Sequence, residues 1–135
     1  IKVMNEALSD AGLTTSHIDY INTHGTSTQL GDVVEVNAIE KVFGDHTYEL
    51  NISSTKSMTG HLLGAAGAIE AIANVMAVSR DTVPPTINNQ VKDEKLDDRL
   101  NLTLNEPVTT TVNAALSNTF GFGGHNAAVI FKKPE

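Results

Sequence analysis

Cysteine is absent from this 135-residue chain, which therefore holds no disulfide, no zinc–thiolate site and no thiol nucleophile. No apolar run reaches the length of a membrane span. The most apolar stretch, Leu62 to Val78, is interrupted by Gly64, Gly67, Glu70 and Asn74. The opening residues Ile1-Lys2-Val3-Met4-Asn5-Glu6 lack the basic start, apolar middle and small cleavage site of a signal peptide. They read instead as the middle of a helix whose beginning is missing, and the lack of an export signal points to the cytoplasm. Positive charge is scarce: 9 Lys and Arg against 16 Asp and Glu leave a net charge of −7. That balance argues against broad binding to nucleic acid or to an anionic membrane. No His-Glu-x-x-His or comparable ligand spacing is present, so no metal is expected. There is no internal repeat and no low-complexity segment.

What the chain does have is 40% hydrophobic residues, enough for one modest core, and residues 1–135 are read as a single domain. Val3, Met4, Ala7, Leu8 and Ala11 recur at helical spacing, with Gly12 as the stop. Ile18 to Asn22 reads as a strand. A second helix is expected to start near Asp32, capped by that side chain, with Glu35 placed for a capping box. Val33, Val36, Ile39, Val42 and Phe43 form its stripe, and Gly44 ends it. Leu50 to Ser54 is a second strand. A third helix, from about Leu62 to Ser79, is apolar almost all round and expected to be buried. Val83-Pro84-Pro85-Thr86-Ile87-Asn88 is extended, and the polar segment 89–105 reads as a surface excursion. Val112, Ala114 and Leu116 mark another strand, and Ala127 to Lys132 a closing one. The order predicts an α/β layer with parallel strands and a terminal antiparallel hairpin.

In open α/β sheets, chemistry gathers where strands end and helices begin. His24 follows a strand directly and precedes Gly25 and the hydroxyls of Thr26, Ser27 and Thr28. His61 lies between Gly60 and a Gly/Ala-rich stretch. A neutral imidazole donates one hydrogen bond without carrying charge, which suits polarising a carbonyl oxygen. Lys56 stands at a strand end; if buried it must pair with acids, and Asp32 and Glu70 are the candidates. The turn Phe120-Gly121-Phe122-Gly123-Gly124 fits an oxyanion hole of backbone N–H groups and equally a plain glycine-rich hairpin. Neither it nor Gly60–Gly67 has the spacing of a phosphate loop or a dinucleotide fingerprint.

Three ordered segments resemble the β-ketoacyl-acyl-carrier-protein synthases: Asn22-Thr23-His24-Gly25-Thr26-Ser27-Thr28, Ser54-Thr55-Lys56-Ser57-Met58-Thr59-Gly60-His61 and Asn118-Thr119-Phe120-Gly121-Phe122-Gly123-Gly124. Gly64-Ala65-Ala66-Gly67 and Pro84-Pro85-Thr86-Ile87-Asn88 fit too, and Leu62-Leu63 after His61 looks more like the type II enzymes. The resemblance spans nearly the whole chain. It implies the C-terminal half of a thiolase-like fold, with helices layered on a mixed, mainly parallel sheet. The family joins an acyl chain, held on an active-site cysteine, to malonyl carried on the phosphopantetheine arm of acyl carrier protein, without a further cofactor. By motif match, His24 and His61 would hydrogen-bond the malonyl thioester carbonyl, and Lys56 would be a buried lysine held by Asp32 and Glu70. Thr26, Thr28 and Phe122 would contact substrate, and Phe120 would gate the acyl pocket and lend its N–H to the oxyanion hole. Implied partners are acyl carrier protein, the cysteine-bearing N-terminal half and a second copy of the full enzyme. The chain is thus read as truncated at its N-terminus and inactive in condensation alone. A polyketide ketosynthase fragment and a non-catalytic carrier-binding subunit are the alternatives. Gln29 stands where proline is frequent in the family, and His125 where threonine is common.

Overall fold

A computed structural model describes residues 1–134. Helix α1 (Lys2–Ala11) buries Met4 and Leu8, one helical turn apart, and Gly12 closes it in the left-handed conformation at φ 64°. There the Gly12 and Leu13 N–H groups bond back to Ser9 and Leu8, satisfying carbonyls that the helix end would leave open. The chain continues through β1 (Tyr20–Asn22), α2 (Gly31–Phe43), β2 (Asn51–Ser53), a single turn α3 (Lys56–Thr59) and α4 (Ala66–Arg80). It then forms β3 (Thr82–Val83), β4 (Val108–Thr109), β5 (Ala114–Phe120) and β6 (Asn126–Lys132).

The main sheet has the order β2-β1-β5-β6. Strand β1 runs parallel to both β2 and β5, while β6 returns antiparallel to β5. Alternation along the strands sends side chains to two cores. Ile21, Ile52, Ala114 and Leu116 join Met4, Leu8, Val36, Ile39 and Phe43 on the α1/α2 face. Tyr20 and Ala115 join Ala77, Val78, Val83 and Val112 on the α4 face. The architecture is a three-layer sandwich of helix, mixed sheet and helix, as the resemblance implied.

Four expectations need correction. The third helix does not begin at Leu62. The segment through Gly60 is interrupted by a left-handed Leu63 (φ 51°), and α4 proper starts at Ala66. Nor is α4 buried all round: Glu70, Asn74, Ala77 and Val78 face inward, whereas Ile72, Val75 and Met76 are exposed. The 89–105 segment is not wholly a surface excursion, because Leu100 joins the α1/α2 core and residues 101–103 bond to both sides of Ile52 along β2. The small β3–β4 pairing was not anticipated. The capping box at Asp32 and Glu35 is absent: Leu30 occupies the cap position without a side-chain bond, and Glu35 is buried and turned elsewhere.

Leu116 is fully buried at the centre of β5 and touches the α1/α2 core. Leu116→Ala is expected to lower unfolding stability by about 2–5 kcal/mol in chemical denaturation, through lost transfer energy and a residual cavity. A loss below about 1 kcal/mol would mean that this position repacks freely.

Candidate functional site

Strands β1, β2 and β5 are parallel neighbours, so their carboxyl ends deliver three loops to one edge of the sheet. The loop after β1 carries His24, the segment after β2 carries Lys56 and His61, and β5 ends on Phe120. The rings meet there. His24 and His61 lie 5.4 Å apart in an edge-to-face arrangement, and the Phe120 ring is 5.6 Å from His24.

His61 is exposed, and its Nδ1 accepts the Leu63 N–H at 3.1 Å. That bond leaves the ring proton on Nε2, making the free edge of His61 a hydrogen-bond donor. The same tautomer is wrong for metal ligation through Nε2, since a ligating histidine donates from its other nitrogen. Among the described residues no cluster of three or more His, Asp or Glu side chains forms a metal-holding group.

His24 is half-buried, and its Nδ1 has no hydrogen-bond partner among the described residues. Burial, then the Lys56 ammonium, then His61 lower its pKa from 6.5 to about 4, so the ring is neutral at pH 7. Its backbone is gripped by an acid that the local sequence pattern assigned to helix capping. Glu35 accepts the His24 N–H at 2.9 Å, the Gly25 N–H at 3.0 Å and the Asn118 amide at 3.2 Å. Burial pushes the Glu35 carboxyl up, while the Gly25, His24 and Asn118 donors pull it down. The available signal was the acid itself, set between Val34 and Val36 in a helix whose neighbouring positions are apolar.

Lys56 is buried and its ammonium pairs with the Glu70 carboxylate, which is 1% exposed. Removing one partner of such a pair typically costs about 3–5 kcal/mol, because the other charge is left buried alone. Asp32 is not the second acid. Its carboxylate accepts the Ser27 N–H at 3.1 Å at the start of α2, although it lines the same cavity as Lys56. Burial raises the Asp32 pKa, against hydrogen bonds from Ser27 and Thr28.

That cavity, about 450 Å³, runs from Thr26 and Asp32 past Lys56 and His61 to the Thr86–Asn88 segment. A second, about 670 Å³, is bordered by His24, Thr26, Asp32 and Phe120. Thr26 touches both. Thr28 lines neither, and its hydroxyl accepts the Gly31 N–H at 3.2 Å. Phe122 projects into solvent, 97% exposed, with no ring contact among the described residues. The structure thus brings His24, His61, Phe120, Lys56 and Glu70 together, places Asp32 and Thr26 on the cavity wall, and leaves Thr28 and Phe122 outside.

A mixed sheet whose parallel strand ends bring two histidines and a buried lysine to one edge is a thiolase-like fold, shared with solved ketosynthases. The solved ishigamide ketosynthase/chain length factor superposes with a TM-score of 0.90 at 36% identity, covering 98% of this chain and 32% of that one. A β-ketoacyl synthase from Burkholderia phymatum gives 0.87 at 39% identity, covering 96% of this chain and 31% of that one. The 3-oxoacyl-[acyl-carrier-protein] synthase 2 of Synechocystis is 52% identical over 94% of this chain and 30% of its own length. That of Coxiella burnetii is 48% identical over 96% and 31%. Residues 1–90 match the family described as β-ketoacyl synthase, C-terminal domain, and the chain belongs to that family. It spans about a third of the length of the curated relatives it matches.

The neutral state of His24 is directly measurable. An NMR titration should find its imidazole half-protonated near pH 4, and Lys56→Met should raise that midpoint. Because the unfolded ring titrates near 6.5, the unfolded chain binds more protons between the two values. His24 therefore costs stability as pH falls from 6.5 toward 4. A midpoint at or above 6.5, or one lowered by Lys56→Met, would contradict this electrostatic picture.

Proposed function

We propose that this chain supplies the carbonyl-activating half of a β-ketoacyl synthase active site, acting on malonyl thioester carried by acyl carrier protein. The observation that carries the reading is the His24–His61 edge contact beside Phe120, with His24 held neutral near a buried ammonium. In a decarboxylative condensation, the bond from the α-carbon to the malonyl carboxylate breaks as carbon dioxide leaves. Its electron pair spreads onto the thioester oxygen as an enolate. The α-carbon then attacks the acyl thioester carbon, and the nucleophile's thiolate departs. Charge grows on the oxygen only as the bond breaks, so two fixed N–H donors stabilise the transition state more than the substrate. A neutral imidazole donor also avoids handing a proton to the enolate too early.

The nucleophile belongs to a part of the synthase outside this cysteine-free chain, so the chain alone is inactive in condensation. The exposed apolar positions Leu62 and Leu63 beside His61, with Ile72, Val75 and Met76 on α4, offer that part a surface to pack against. Thr26 on the cavity wall suits contact with the carrier's pantetheine arm, and Phe122, exposed here, would reach substrate once that part is in place. The carrier's arm is the only prosthetic group the reaction needs.

Fatty acid elongation is favoured over polyketide assembly by 46–52% identity to proteins named 3-oxoacyl-[acyl-carrier-protein] synthase 2, against 36% to the ketosynthase of the type II PKS complex AntDE:AntF. A purely carrier-binding role leaves the paired histidines and the buried Lys56–Glu70 pair without a task.

With the nucleophile-bearing part supplied, His24→Ala or His61→Ala should cut malonyl decarboxylation about 10²–10³-fold while leaving acyl transfer to the nucleophile measurable. Decarboxylation unchanged in either variant would sink the proposal.

A further inference from the structure

The peptides on either side of Gly25 are fixed from two directions, and only one of these is Glu35. On the opposite side, the Ser54 hydroxyl donates to the Gly25 carbonyl at 2.9 Å. Ser54 is 7% exposed, and its own N–H donates to the Thr86 hydroxyl at 2.8 Å. Its carbonyl accepts the Ser57 hydroxyl at 2.9 Å, and that hydroxyl in turn accepts the Ile87 N–H at 2.9 Å. One residue therefore joins the His24 loop, the turn leading to Lys56 and His61, and the extended segment forming the cavity wall.

The approach is too close for any residue but glycine at position 25. A Cβ there would stand 2.6 Å from the Ser54 Cβ and 2.7 Å from its Oγ, and Gly25 also holds a positive φ of 37°. The His24 and Gly25 N–H groups are bound by Glu35 and the Gly25 carbonyl by Ser54, so three backbone polar groups around the His24 ring are held in place. Ser54 precedes Lys56 by two residues, and α3 and Gly60 connect it to His61. The single Ser54–Gly25 bond is thus a short path between the two histidine-bearing segments.

We propose that Ser54 is a positioning residue, which sets the distance of His24 from His61 by holding the Gly25 carbonyl against the segment that bears Lys56 and His61. The inference rests on the carbonyl-activating reading of the histidine pair. Ser54 borders the 450 Å³ cavity, but its hydroxyl is committed to the Gly25 carbonyl, so it acts through the His24 loop. Losing its donor releases the Gly25 carbonyl on the side of Lys56 and His61 while Glu35 still holds the other, and displacements of about an ångström in a reacting constellation cost up to 10²-fold in rate.

The test is Ser54→Ala in the complete synthase, assayed beside His24→Ala. Two half-reactions are followed with defined probes: carbon dioxide release from labelled malonyl thioester, and acyl transfer from an acyl thioester to the nucleophile. Ser54→Ala is expected to lower kcat for decarboxylation about tenfold with KM little changed and acyl transfer within roughly twofold of the parent enzyme. Unchanged decarboxylation overturns the proposal. So does an equal loss in both half-reactions, which would mark Ser54 as a general structural residue. If His24→Ala also leaves decarboxylation intact, the reading of the histidine pair itself fails. If only Ser54→Ala is silent, that reading stands and the positioning role alone falls.

Discussion

The site depends on one buried carboxylate that holds backbone in place. Glu35, buried in α2, accepts backbone N–H groups from His24 and Gly25 and the side-chain amide of Asn118, two residues before Phe120. Three separate parts of the chain, from α2, the β1 loop and the end of β5, are thereby fixed to one charged group. Charge-assisted hydrogen bonds of this kind are among the stronger polar contacts available in a protein interior, and leaving any of them unmade is costly. Parallel strands bring the loops to the same edge. The Glu35 carboxylate holds the His24 loop and β5 in register there.

Around that frame the electrostatics favour one protonation state. The Lys56–Glu70 pair places an ammonium near His24 without exposing it to water, and burial and that charge both work against a proton on the His24 ring. The Leu63 N–H places the His61 proton on Nε2. Two imidazoles in edge contact, each with a single proton to donate, are suited to an oxygen that gains charge during reaction. They are poorly suited to holding a metal or to passing a proton between them. The pairing of Lys56 with Glu70 is thus better understood as a device for placing charge than as a source of stability, since buried ion pairs often contribute little net stabilisation.

Much of this was legible in the sequence because it is local. Helical spacing of Met4 and Leu8 with Gly12 behind them, and alternation in Ala114 to Leu116, follow from the periods of helix and strand. The loops carrying His24 and His61, and the turn that Phe120 opens at the end of β5, could be picked out because each lies at a strand end and is punctuated by glycine. What could not be read depends on partners distant in the chain. Glu35 looks like a capping residue until Gly25 and Asn118 arrive beside it, and Asp32 looks like a partner for Lys56 until Ser27 claims it. The pairing of residues 101–103 with Ile52 has no local signature, because a polar segment docks on a strand edge through its backbone. The exposed stripe on α4 has no sequence signature of its own, because periodicity reports which faces are apolar and not what covers them.

In the proposed role the paired histidines polarise a thioester carbonyl. Isotope-edited infrared spectroscopy of a non-reactive malonyl thioester analogue, labelled at that carbonyl and bound to the complete synthase, reads this polarisation directly. The carbonyl stretch is expected below its frequency in water, moving back up when either His24 or His61 is replaced by alanine. A stretch at or above the aqueous value in the unaltered enzyme would contradict it.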